Sequence, residues 1–77
     1  MDSFIFRREY YEEAIEQFPS REERGQYLYI LCSMALDGGN PYSSDVPKQY
    51  RALLAKTLAR IRADQERYLK RKAKQNG

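Results

Sequence analysis

Residues 26–36 read QYLYILCSMAL, a run in which Gln26 and Ser33 are the only strongly polar residues. At 3.6 residues per turn it carries apolar groups on every side. That is the pattern of a helix enclosed by protein or spanning a membrane. Its length falls well short of the ~20 residues that a bilayer crossing takes. The segment is therefore expected to be a core helix with neighbours on more than one side, in a chain of only 77 residues.

Two flanking segments could supply those neighbours. Residues 3–18, SFIFRREYYEEAIEQF, place Phe4, Tyr11, Ile15 and Phe18 within ~50° of one another at helical spacing. Ser3 is a candidate cap, Pro19 ends the segment, and Phe4-Ile5-Phe6 is also strand-like, which would delay the helix to about Arg7. The central helix is predicted over residues 21–36. Ser20 and Glu23 form a capping box at its start, and Asp37-Gly38-Gly39-Asn40-Pro41 forms a stop at its end. Its main face is Tyr27, Leu28, Leu31, Met34 and Ala35, while Tyr29 and Leu36 point nearly opposite. A third helix over residues 46–74 opens near Pro47, with Ser44 or Asp45 as cap, and contains neither glycine nor proline beyond it. Tyr50, Leu54, Thr57, Leu58, Ile61 and Tyr68 mark its apolar side. At 1.5 Å per residue it outreaches the other two helices, so its turns from about Arg62 should overhang the bundle or pack on another subunit.

The expected fold is a single all-α domain, residues 1–77: a three-helix unit with a long C-terminal helix and a basic C-terminal end over 67–77. A core of this size rarely supplies more than ~3–5 kcal/mol, and small domains usually add a staple. With Cys32 as the lone cysteine and no histidine, neither a disulfide nor a zinc site is expected, and no cofactor. A homodimer is the remaining staple. It would occupy the spare face of the central helix, with Tyr29, Leu36 and Tyr68 as interface residues.

Charge is unevenly placed. Residues 1–45 hold four basic and nine acidic groups, a net of −5, whereas residues 46–77 hold ten basic and two acidic, a net of +8. Such asymmetry points to an anionic partner for the C-terminal half or to head-to-tail pairing. Lys56, Arg60, Arg67, Arg71 and Lys74 fall within ~60° on the third helix, roughly opposite Leu54, Leu58 and Ile61, and Lys70 adds to the density of YLKRKAK. A rod with cations in line can follow a phosphate backbone or rest on an acidic protein.

Signals for catalysis are weak. Glu12 and Glu16 lie one turn apart, but a solvated helix face is the simpler account of them. No Ser-Lys or Cys-His nucleophile pair is visible, and Gly38-Gly39-Asn40 follows a helix and lacks the ending of a phosphate loop. The chain reads as a non-enzyme with no small-molecule substrate. The start MDSFIFRREYYEE has no basic leader followed by a long apolar run, so a cytoplasmic protein without membrane attachment is expected.

The order of motifs also resembles a known group. Ser3-Phe4-Ile5-Phe6, Tyr11-Glu12-Glu13-Ala14-Ile15, Phe18-Pro19, Ala35-Leu36-Asp37-Gly38 and Gln65-Glu66-Arg67-Tyr68 before a basic Asn-Gly end are similar to a family of small uncharacterised helical proteins from phages and prophages. The likeness spans nearly the whole chain. Members often continue into a Gly-Gly-Arg-Pro-like basic tail, which would begin where this sequence stops at Gly77, and some carry a replication-associated domain. The resemblance implies a phage context in a host cytoplasm and a non-enzymatic role, with no catalytic residues to carry over. Two readings follow from residues and resemblance together. One is an interaction module that sets its basic helix on nucleic acid, in replication or its regulation. The other is a protein-only binder that inhibits a host defence or replication enzyme.

Overall fold

The computed structural model describes residues 3–76, with side chains described through Lys72. Three helices follow one another: α1 (Arg8–Gln17), α2 (Arg21–Asp37) and α3 (Lys48–Asn76). This is the expected all-α three-helix arrangement with a long C-terminal helix. No helix among the described residues is long and apolar enough to cross a membrane.

The helix boundaries follow local chemistry. Helix α1 begins later than residue 3, because residues 3–7 form a non-helical arm and Arg7 is its N-cap, with an extended backbone and no side-chain cap. The β-prone Phe4-Ile5-Phe6 run therefore prevails over the Ser3 cap. At the other end, Phe18 N–H donates to the Ala14 carbonyl at 2.8 Å before Pro19 breaks the helix. Helix α2 starts as read: the Ser20 hydroxyl accepts from Glu23 N–H at 3.5 Å, a long cap, with Glu22 and Glu23 in the first turn. It ends at Gly38, whose φ of 87° and ψ of 172° place it in a region open essentially to glycine alone.

Helix α3 begins two residues later than predicted. Ser43 turns the chain instead, accepting Val46 N–H at 3.0 Å, and neither Ser44 nor Asp45 caps the helix. Arg51 then reaches back from the second turn, donating to the carbonyls of Val46 (3.0 Å) and Ser43 (3.2 Å), and so pins the loop. Val46 is left as a buried plug beneath it.

The core joins all three helices. Tyr10 and Ala14 come from α1 and Phe18 from its C-cap, Tyr27, Leu31 and Ala35 from α2, and Tyr50, Leu54, Leu58 and Ile61 from α3. Each fully buried leucine contributes roughly 2–3 kcal/mol. At the centre Phe18 packs against Tyr27 and Tyr50, with ring centroids 5.1 and 4.9 Å away. The tyrosine hydroxyls are accommodated there: Tyr27 donates to Thr57 (3.2 Å) and Tyr50 to Gln26 (3.1 Å).

One expectation about faces is corrected. Tyr10 and Ala14 form the buried face of α1 in place of Tyr11 and Ile15, which stay 48% and 37% exposed, whereas Phe18 is buried and Phe4 packs against the core as expected. Both sets fit helical spacing. Small Ala14 permits close approach to the core, and the resulting rotation turns Glu13 toward the cations of α3. Helix α2 keeps the spare face expected of it. It packs on both α1 and α3, yet its far side is not enclosed by the chain, and Tyr29 is 76% exposed. Cys32 is half-buried, and burial pushes its thiol pKa up, so it is a poor nucleophile at neutral pH.

Candidate interaction surface on the third helix

The cationic side of α3 divides in two along its length. In the first half the cations are bound within the fold. Lys56 Nζ and Arg60 Nη1 meet the two carboxylate oxygens of Glu13 on α1 at 3.1 and 2.7 Å. Burial would push the Glu13 carboxyl up, but the hydrogen bonds from Lys56 and Arg60 outweigh it and hold the pKa below the ordinary value. One turn further on, Asp64 is buried in the apolar register of α3 and takes three donors. Arg7 approaches it with Nε at 2.9 Å and Nη2 at 3.0 Å, and Arg67 adds Nη2 at 2.9 Å. The hydrogen bond from Arg7 is the main reason the Asp64 carboxyl sits below its usual range, against the effect of burial. The same pair raises the Arg7 guanidinium.

These contacts give Lys56, Arg60 and Arg67 structural work, so they are not a bare stripe facing solvent. Arg7, Glu13 and Asp64 are the partners that sequence reasoning missed. Asp64 left a readable signal: it is the one acid in the series Leu54, Thr57, Ile61, Asp64, Tyr68, a spacing that buries it and calls for a cation.

The second half of α3 differs. Lys70, Arg71 and Lys72 are exposed and make no ion pair among the described residues. The side chain of Lys74 lies outside the described residues. Tyr68 (55% exposed) and Leu69 (53%) sit beside these cations, and Ile5 and Phe6 of the arm are likewise exposed. The arm therefore covers part of the length expected to overhang. A shallow groove runs between them, lined by Ile5, Arg7, Asp64, Arg67, Tyr68 and Arg71. It continues into a more polar hollow that shares Arg7, Asp64 and Arg67 and adds Arg60 and Tyr10. The Tyr10 hydroxyl lies buried at that hollow beside Arg7 and Asp64, without a hydrogen bond of full-strength geometry.

The expected interface residues are not brought together. Tyr29 lines a groove with Ile30, Met34 and Val46; Leu36 lines another with Leu58, Ile61 and Arg62; Tyr68 belongs to the arm and the distal end of α3. Of the glutamates on α1, Glu12 pairs with Arg8 at 3.0 Å in an exposed i,i+4 bridge and Glu16 is exposed. No cluster of three metal-ligating side chains occurs among the described residues.

No family model matches the chain, and neither a curated protein nor a solved structure matches it.

Proposed function

We propose that the protein is a non-enzymatic binding module whose distal α3 surface engages nucleic acid. One observation carries the reading. The fold pairs Lys56 and Arg60 with Glu13 and Arg67 with Asp64, yet leaves Lys70, Arg71 and Lys72 without an ion pair among the described residues, beside exposed Tyr68 and Leu69. Cations close together along ~3 Å of helix rise, next to aromatic and aliphatic surface, suit a polyanion that also carries apolar faces. In the phage setting that the motif order implies, such a module would serve replication or its regulation in the host cytoplasm.

The test is fluorescence anisotropy with labelled oligonucleotides at about 50 mM salt. Wild-type protein should bind, with a salt slope on the order of 2 from three neutralised phosphates. The combined variant Lys70→Glu, Arg71→Glu, Lys72→Glu should not bind. Wild-type protein that leaves every oligonucleotide unshifted rules the reading out.

A second reading, binding of protein alone, is favoured by a different face. Exposed Tyr29 borders a groove of Ile30, Met34 and Val46 on α2. Within the proposal this face forms the homodimer that a core of this size would use as its staple. A host protein seated there would make the inhibitor reading the better one.

A further inference from the structure

We propose that the groove between the N-terminal arm and the distal part of α3 takes a single-stranded nucleic acid in preference to a duplex, with Tyr68 as the surface on which a base stacks. The proposal rests on the nucleic-acid reading above and narrows it to one class of strand.

Three observations support it. First, the groove combines guanidinium groups with an aromatic ring: Arg67 and Arg71 lie one helical turn apart and Tyr68 sits in the same groove, half exposed. A single strand offers phosphates and unstacked base faces together, and aromatic side chains between cations are the usual means of holding both. A duplex keeps its base faces inside the stack, so against its exterior Tyr68 would find no base face to stack on, only backbone and base edges.

Second, the arm obstructs duplex docking on this face. The major groove, ~12 Å wide, admits a helix of ~10–12 Å diameter and little more. Here the arm is tied to α3 by the Arg7–Asp64 pair, and Phe4 is packed against the core. Arm and helix side by side exceed a single helix in width.

Third, the groove does not end at Tyr68. Through Arg7, Asp64 and Arg67 it continues to Arg60 and Tyr10. Arginine donors not used on Asp64 and Glu13 remain along this path, since each guanidinium carries five N–H groups. A strand could follow it for the ~16 Å of helix rise between Arg60 and Arg71.

The experiment measures anisotropy with labelled oligo(dT), oligo(U) and a duplex of equal length, using wild-type protein and the variants Tyr68→Ala and Tyr68→Phe. Circular dichroism checks that each variant is folded, which the exposure of Tyr68 favours. Tighter binding of either single strand than of the duplex is expected. Tyr68→Ala should weaken single-strand binding roughly ten-fold and leave duplex binding unchanged, while Tyr68→Phe keeps the wild-type value. Duplex bound as tightly as single strand, or Tyr68→Ala equal to wild type on single strands, overturns this proposal and leaves the broader reading standing. Absence of binding to all three probes overturns both.

Discussion

Arg7 and Asp64, 57 positions apart in sequence, form a two-pronged ion pair with N–O distances of 2.9 and 3.0 Å. It is the contact that turns the non-helical start of the chain into an arm alongside α3. Asp64 is shielded from water and Arg67 also donates to it, so removing the carboxylate leaves two guanidinium groups without their acceptor. Asp64→Ala should lower the melting temperature by several degrees and increase proteolytic cleavage before Arg8. Cleavage unchanged from wild type would show that the arm is held by its phenylalanines instead.

Acid sensitivity follows from the same carboxylates. Asp64 and Glu13 both have folded-state pKa values below the ordinary range. A depressed carboxylate contributes stability that is complete above its unfolded value, ~4, and is lost as pH falls through the folded value. Thermal melts should therefore be flat from neutral pH down to about 5 and should fall steeply below about 4. The variant Glu13→Gln, Asp64→Asn should start lower at neutral pH and show a shallower acid limb.

Two tyrosines of the core should respond oppositely to loss of the hydroxyl. Tyr27 donates to Thr57 inside the core, and Tyr27→Phe should cost ~1 kcal/mol. The Tyr10 hydroxyl is buried beside the Arg7–Asp64 pair without a hydrogen bond of full-strength geometry, and a poorly satisfied buried polar group costs up to ~1–3 kcal/mol. Tyr10→Phe should thus leave stability unchanged or raise it, as read from denaturant midpoints. A loss comparable to that of Tyr27→Phe would mean the hydroxyl has a partner in solution.

The glycines of α2 form a similar pair. Gly25 lies within the helix with open space where a Cβ would go, so Gly25→Ala should stabilise by roughly 0.5–1 kcal/mol. Gly38→Ala meets no atom either, but its backbone is in a glycine region, and the substitution should destabilise by about 1–3 kcal/mol.

These contrasts show what could be read from the chain alone. The stop at Gly38 and the cap at Ser20 were legible because single-residue chemistry determines them. The apolar register of α3 was legible because Leu54, Leu58 and Ile61 have no competing pattern. The rotation of α1 was not: Tyr10–Ala14 and Tyr11–Ile15 are both apolar pairs at i,i+4, and only docking against α3 decides between them. The basic stripe was found as a line of residues, but its division into bound and unbound halves depends on Glu13 and Arg7. Those partners lie more than 40 positions away in sequence from Lys56, Arg60 and Asp64.

Self-association is the remaining consequence to test. In a chain with so small a core, Tyr29 leaves most of its ring in water on the side of α2 that faces neither α1 nor α3. If two copies cover these faces mutually, folding and association are linked, and stability must depend on protein concentration. Light scattering at micromolar concentration should give twice the chain mass, and the melting temperature should rise with each dilution step reversed. Tyr29→Glu places a charge where the ring would be buried, so it should yield a monomer whose melting temperature is lower and independent of concentration. A wild-type protein already monomeric, with a concentration-independent melt, would mean that the three helices suffice by themselves and that the Tyr29 face is either simply exposed or kept for a different protein.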